Sequence, residues 1–106
     1  MNTKRHQPTI RREMILNAGL SVARRPGGWV RLTRRAIAKE AGCSEALVSR
    51  YLGDIQSARR PIMKAAIRLG LTEIIAQSLA AHDGYAVACG LSQSLRTKAI
   101  SALLGK

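Results

Sequence analysis

The sequence predicts an all-α protein: a three-helix head with a helix-turn-helix, followed by a short helical region. Three observations carry that prediction. Apolar residues recur at three- and four-residue steps through most of the chain, the spacing of one helix face. There is no Phe, one Trp and two Tyr among 106 residues, and a core of aliphatic residues and Ala suits closely packed helices better than a β-sheet. The stretch Leu32–Leu52, LTRRAIAKEAGCSEALVSRYL, reads as two short helices joined by a tight turn. The length suffices for one domain with a modest core.

Residues 1–8, MNTKRHQP, lack apolar periodicity and read as a basic arm. Lys4 and Arg5 either follow a phosphate backbone or enter a minor groove, as basic arms do, or belong to an ordinary chain end. Thr9 can cap a first helix over Ile10–Arg24, with Ile10, Met14, Ile15, Ala18 and Val22 on its inner side. RRPGG ends that helix, because Pro26 cannot continue it and Gly27 and Gly28 permit a sharp turn. Trp29, Val30 and Leu32 then return to the core, with Trp29 expected to seal the end of the first helix.

Thr33 is placed to cap the next helix, in which Ile37, Ala38 and Ala41 share a face. Gly42 can take the left-handed conformation that ends it. Ser44 can cap its successor, where Leu47, Val48, Tyr51 and Leu52 recur at helical steps. Two helices around a short glycine-containing turn are the helix-turn-helix signature, whose second helix reads a DNA major groove. Gly53-Asp54 closes that helix, completing a head over residues 9–56. Residues 57–106 are the support and dimerisation region. A helix begins near Ser57 or Pro61 and carries Ile62, Met63, Ala66, Ile67 and Leu69. Gly70 is either a packing point in one long helix or a break before a helix capped by Thr72. Leu71, Ile74, Ile75, Ser78 and Leu79 continue the spacing to Ala81. Asp83-Gly84 signals a turn and Tyr85 to Cys89 a short apolar segment. Leu91, Leu95, Ala99, Ala102 and Leu103 mark a last helix that Ser92 can cap.

Charge points to a polyanionic partner. The formal net charge is +12, and 13 of the 18 basic residues, against 4 of the 6 acidic ones, lie in residues 1–60. Such an excess draws in nucleic acid over long range in a salt-dependent way. Arg34 and Arg35 start a helix, where a cation opposes the helix dipole, so phosphates are sensible partners for them. Thr33, Ser44, Tyr51, Arg59 and Arg60 complete the expected phosphate contacts. Glu45, Ala46, Ser49 and Arg50 fall on the side of the second helix away from Val48 and Leu52, where they would meet base edges. Small side chains there allow close approach, and the Arg50 fork can grip guanine or a phosphate.

LTRRAIAKEAGCSEALVSRYLGD, preceded by RREMILNAGLSVA, resembles the DNA-binding half of TetR-type regulators across residues 10–60. Their pattern runs Leu-Thr, then Ile-Ala-x-x-Ala-Gly-Val-Ser, then Leu-Val-Tyr-x-Tyr-Phe-x-x-Lys. Three positions depart from it: Ser49 stands where that family often has a DNA-contacting Tyr, Leu52 replaces a Phe, and Ile55 stands where a phosphate-binding Lys is common. The resemblance implies a regulator that binds double-stranded DNA, typically at an inverted repeat. Residues 61–106 are too few for the effector-binding bundle usual in that family, so no small-molecule effector is expected. Leu71, Ile74, Ile75, Leu79, Leu91, Leu95 and Leu103 are instead expected to offer an apolar surface for a homodimer; the competing reading is that this region only backs the helix-turn-helix as local core.

Other classes fit less well. Cys43 and Cys89 form no CxxC pair and have no spaced His partners, which argues against zinc; Cys43 reads as buried filler in the turn. Six acidic residues and two His are scattered without a catalytic pairing, and no cofactor motif is visible, so no enzyme is expected. The N-terminal segment is too short and too interrupted for a signal or a membrane span, and a cytoplasmic protein is expected. The expected function is a small homodimeric repressor. The alternatives are a non-specific architectural nucleic-acid binder and a protein-interaction adaptor that has lost DNA.

Overall fold

Local signals and long-range packing together divide the chain into helices. A computed structural model describes residues 7–104. Within them lie α1 (Gln7–Arg24), α2 (Arg34–Ala41), α3 (Glu45–Leu52), α4 (Ile55–Leu69), α5 (Thr72–Ala81), α6 (Tyr85–Ala88) and α7 (Gln93–Leu104), and no strand. The all-α class therefore holds. Lys4 and Arg5 lie outside the described residues.

Helix α1 starts at Gln7, so Thr9 lies within it and does not cap it. Its inner side also differs from the expected one. Ile15, Leu16, Ala18, Leu20, Val22 and Ala23 are buried, whereas Ile10 and Met14 are 51% and 54% exposed. The helix packs against α2 and α3 and also against α4 and α5. Two packed sides bury a wider arc than one amphipathic stripe. With Ala41, Gly42, Cys43 and Leu47, Ile10 and Met14 line a groove of about 290 Å³. Cys43 is accordingly half-buried and not enclosed filler, and both thiols are free.

The turn after α1 closes through Gly28 N–H donating to Arg25 O at 2.7 Å and Leu32 N–H to Trp29 O at 3.3 Å. At Gly28 a Cβ would sit 1.9 Å from the Val22 carbonyl oxygen, so this position needs glycine for space. Thr33 and Ser44 cap α2 and α3 as expected, accepting from the N–H groups of Ala36 and Leu47 at 3.0 and 3.1 Å. Gly42 ends α2 in the left-handed region.

Helix α4 begins earlier than the sequence suggests. Asp54 caps it by accepting from Ser57 N–H at 2.8 Å, which places Pro61 inside the helix, where one backbone bond is forfeited. Packing compensates: Ala58, Ile62, Met63, Ala65 and Ala66 are all buried, and α4 touches α1, α3, α5 and α6. Gly70 breaks the chain, its φ of 69° ending α4. Thr72 is the first residue of α5 and not its cap; Leu71 holds that place without a side-chain bond. Ser92 accepts from Leu95 N–H at 3.2 Å at the start of α7, whose Ala99 is buried against the rest of the core.

Trp29, wholly buried, ties these layers together. Its indole N–H donates to the Asp83 carboxylate at 2.6 Å and its backbone N–H to Gln77 Oε1 at 2.9 Å. Gln77 in turn donates to Ala23 O, at the end of α1. Ser78, buried on α5, donates to the other Asp83 oxygen. The Tyr85 ring meets Trp29 edge-on at 5.7 Å, and its hydroxyl is bonded to Gln56. Trp29 therefore seals the end of α1 as expected, and it also joins the head to α4, α5 and α6.

Candidate nucleic-acid interface

Helix α3 is anchored on one side and open on the other. Val48 and Leu52 are in the core, 0% and 6% exposed, and Leu47 and Tyr51 pack half-buried beside them. Glu45, Ala46 and Arg50 are exposed. Ser49 is half-buried, and Arg34 reaches over from the first turn of α2 and donates from Nη1 to its Oγ at 2.5 Å. The four residues expected at base edges thus share the outward side of one capped helix, with the Arg34 guanidinium beside them.

The expected phosphate-contacting residues divide into two groups. Arg34, Arg35, Ser44 and Arg60 are exposed, and Thr33 and Ser44 accept as caps while each keeps a hydroxyl proton to donate. Tyr51 stands half-buried. Arg59 departs from expectation. Its guanidinium turns inward, lies 4.8 Å from the Trp29 ring centre and donates to Trp29 O at 2.7 Å and Val30 O at 3.4 Å. It is occupied as an internal tie, because a cation over an indole that also satisfies two carbonyls loses little by leaving water.

Asp54, Glu40 and Glu73 each have partners of their own. Asp54 is held below the ordinary carboxylate range first by its bonds with Ser57 and also by the charge of Arg34. Glu40 is lowered chiefly by its hydrogen bond with Arg25, then by Ser21; the two contacts measure 2.5 and 3.1 Å. Glu73 pairs with Arg24 at 3.2 Å. Among the described residues no three His, Cys, Asp or Glu side chains gather as a metal site, and no helix is long and apolar enough to cross a membrane.

No family model, curated protein or solved structure matches the chain.

The residues expected at a dimer interface also need correcting. Ile74 and Ile75 are 0% exposed, buried by α5's contacts with α1, α4 and α7, and cannot meet a second copy. Leu71, Leu79, Leu91 and Leu95 are half-buried against the same core. Leu103 alone of the set is exposed. The open apolar residues of this end are Val87, Ile100, Leu103 and Leu104, and the first three line a groove of about 430 Å³ with Leu79 and Ala86. Periodicity identified the helices of this region, but not which of their faces the α5–α7 contact would use. Two functional features were invisible in the sequence. The Arg34–Ser49 bond joins residues on different helices, and the inward turn of Arg59 depends on where Trp29 comes to rest.

Proposed function

We propose that this chain is a sequence-specific double-stranded DNA-binding transcriptional regulator, built in the manner of TetR-type repressors and acting as a small homodimer. The carrying observation is α3: a capped helix rooted by Val48 and Leu52, with Glu45, Ala46, Ser49 and Arg50 on its open side. Such a helix can enter a major groove and bring side chains to base edges. Arg34 and Arg35 open α2 and Arg60 lies exposed in the second turn of α4, where phosphates of the groove walls would meet them. The excess of positive charge supplies attraction over distance. In this reading the protein is a binder and not an enzyme, and it works in the cytoplasm. The homodimer would use the groove of Val87, Ile100 and Leu103, presenting α3 twice to the halves of an inverted repeat.

The experiment is selection of bound duplexes from a random pool, followed by a salt titration on the recovered sequence. An enriched inverted repeat, with affinity falling steeply as salt rises, is the expected result. Equal retention of all sequences would replace base reading by non-specific binding. Binding indifferent to salt would point to a protein partner.

A further inference from the structure

We infer that Arg34 and Ser49 act as one unit that reads guanine, so that Arg34 contacts a base and not only the sugar–phosphate wall. This rests on the DNA-binding function proposed above and deepens it.

The geometry begins with the 2.5 Å bond from Arg34 Nη1 to Ser49 Oγ. Arginine has donors only, so the serine oxygen must be the acceptor. A serine hydroxyl has one proton, and among the described residues no acceptor faces it. With a guanidinium on its lone-pair side, the favoured direction for that O–H is away from Arg34. Arg34 has five N–H donors and uses one on Ser49. The pair therefore presents donors side by side: the Ser49 O–H and the remaining guanidinium N–H groups. The Arg34 charge is also felt at the Asp54 carboxylate, which is fixed as the α4 cap.

A pair so rich in donors, with one Ser49 lone pair already taken by Arg34, suits one base edge best. Guanine shows two acceptors, N7 and O6, in the major groove. Adenine shows one acceptor and one donor, thymine one acceptor beside a methyl group, and cytosine a donor. Donor facing donor is repulsive and leaves both groups unpaired, which is how a polar site rejects a wrong partner. The position met by Arg34 and Ser49 should therefore be guanine in each half-site. Arg50, exposed one residue further along α3, would make a separate contact.

The test is the same random-pool selection, run with the wild-type protein, Arg34→Lys, Arg34→Ala and Ser49→Ala, with folding checked by helical circular dichroism. The wild-type motif should hold one guanine column that Arg34→Ala and Ser49→Ala both flatten, each losing about tenfold preference for guanine there and leaving the other columns intact. Arg34→Lys is the decisive variant. A lysine keeps the charge and can hold a phosphate but lacks the planar fork, so affinity for random duplex and the salt slope should persist while the guanine column weakens. A motif unchanged in Arg34→Lys and uniformly weakened in Arg34→Ala would make Arg34 a phosphate clamp and overturn the inference, leaving sequence-specific binding intact. Changes in two different columns for the Arg34 and Ser49 variants would overturn the pairing. A wild-type protein that enriches nothing would overturn the parent function and this inference with it.

Discussion

At the scale of single residues, the structure rests on a few side chains with several partners each. Asp83 satisfies the Trp29 indole, the Ser78 hydroxyl and the Tyr85 backbone N–H. Replacing it by Ala strands the donors of two buried residues, and the cost should be roughly 1–3 kcal/mol, read from the urea midpoint at unchanged slope. Asp83→Asn should cost less, since its amide oxygen still accepts. Gly28 is constrained differently. A methyl group there meets the Val22 carbonyl oxygen, a backbone atom that cannot rotate away. Gly28→Ala should lower stability by about 2 kcal/mol or more, and a thermal midpoint equal to wild type would show that the turn can shift. Neither cost is visible in the sequence. RRPGGW announces a turn, but not which glycine lies against a carbonyl, and nothing in it names Asp83 as the partner of Trp29.

At the scale of elements, three helix starts were legible, although Thr9 and Thr72 lie inside their helices and do not cap them. Thr33, Ser44 and Ser92 each accept the bond their side chains predict, because an N-cap and the N–H it serves lie within three residues of one another. Ser44→Ala should cost about 1 kcal/mol and fray the first turn of α3, where Glu45 and Ala46 sit; circular dichroism melts would measure the loss. The caps and ion pairs also give a pH dependence. Asp54 and Glu40 both have lowered folded-state values, so the folded form binds protons less readily than the unfolded chain. Their stabilisation is complete above the ordinary values of 3.8 and 4.5 and is lost as pH falls through the lowered ones. Stability should therefore decline on acidification through that window, and Asp54→Asn should flatten part of the decline. An Asp54→Asn variant that keeps the wild-type acid profile would remove Asp54 from the account. The start of α4 was less legible: Pro61 resembles a first-turn residue, yet Asp54 makes the stronger cap and packing tolerates the proline inside.

At the scale of the whole molecule, α4 is the shared wall of the head and the C-terminal helices, and one core runs through both. That arrangement uses up apolar side chains which a sequence reading assigns to a partner. If the exposed groove serves a second copy, Ile100→Glu with Leu103→Glu should give a monomer by sedimentation with helix content unchanged, since both side chains are already partly in water. Weaker binding to a full inverted repeat, with half-site binding retained, should accompany it. A wild-type protein that sediments as a monomer at all concentrations would end the dimer proposal.

The chain by itself determined what depends on near neighbours: the all-α class, the capped pair α2 and α3, and the outward side of α3 carrying Glu45, Ala46, Ser49 and Arg50. These follow from helical spacing and cap chemistry, which act over three or four residues. Only the tertiary structure decided that Arg59 turns in to Trp29, that Ile74 and Ile75 belong to the core, and that Arg34 is bonded to Ser49. Each of those outcomes is a competition between water and a partner distant in sequence, and its result depends on where the packed helices bring that partner.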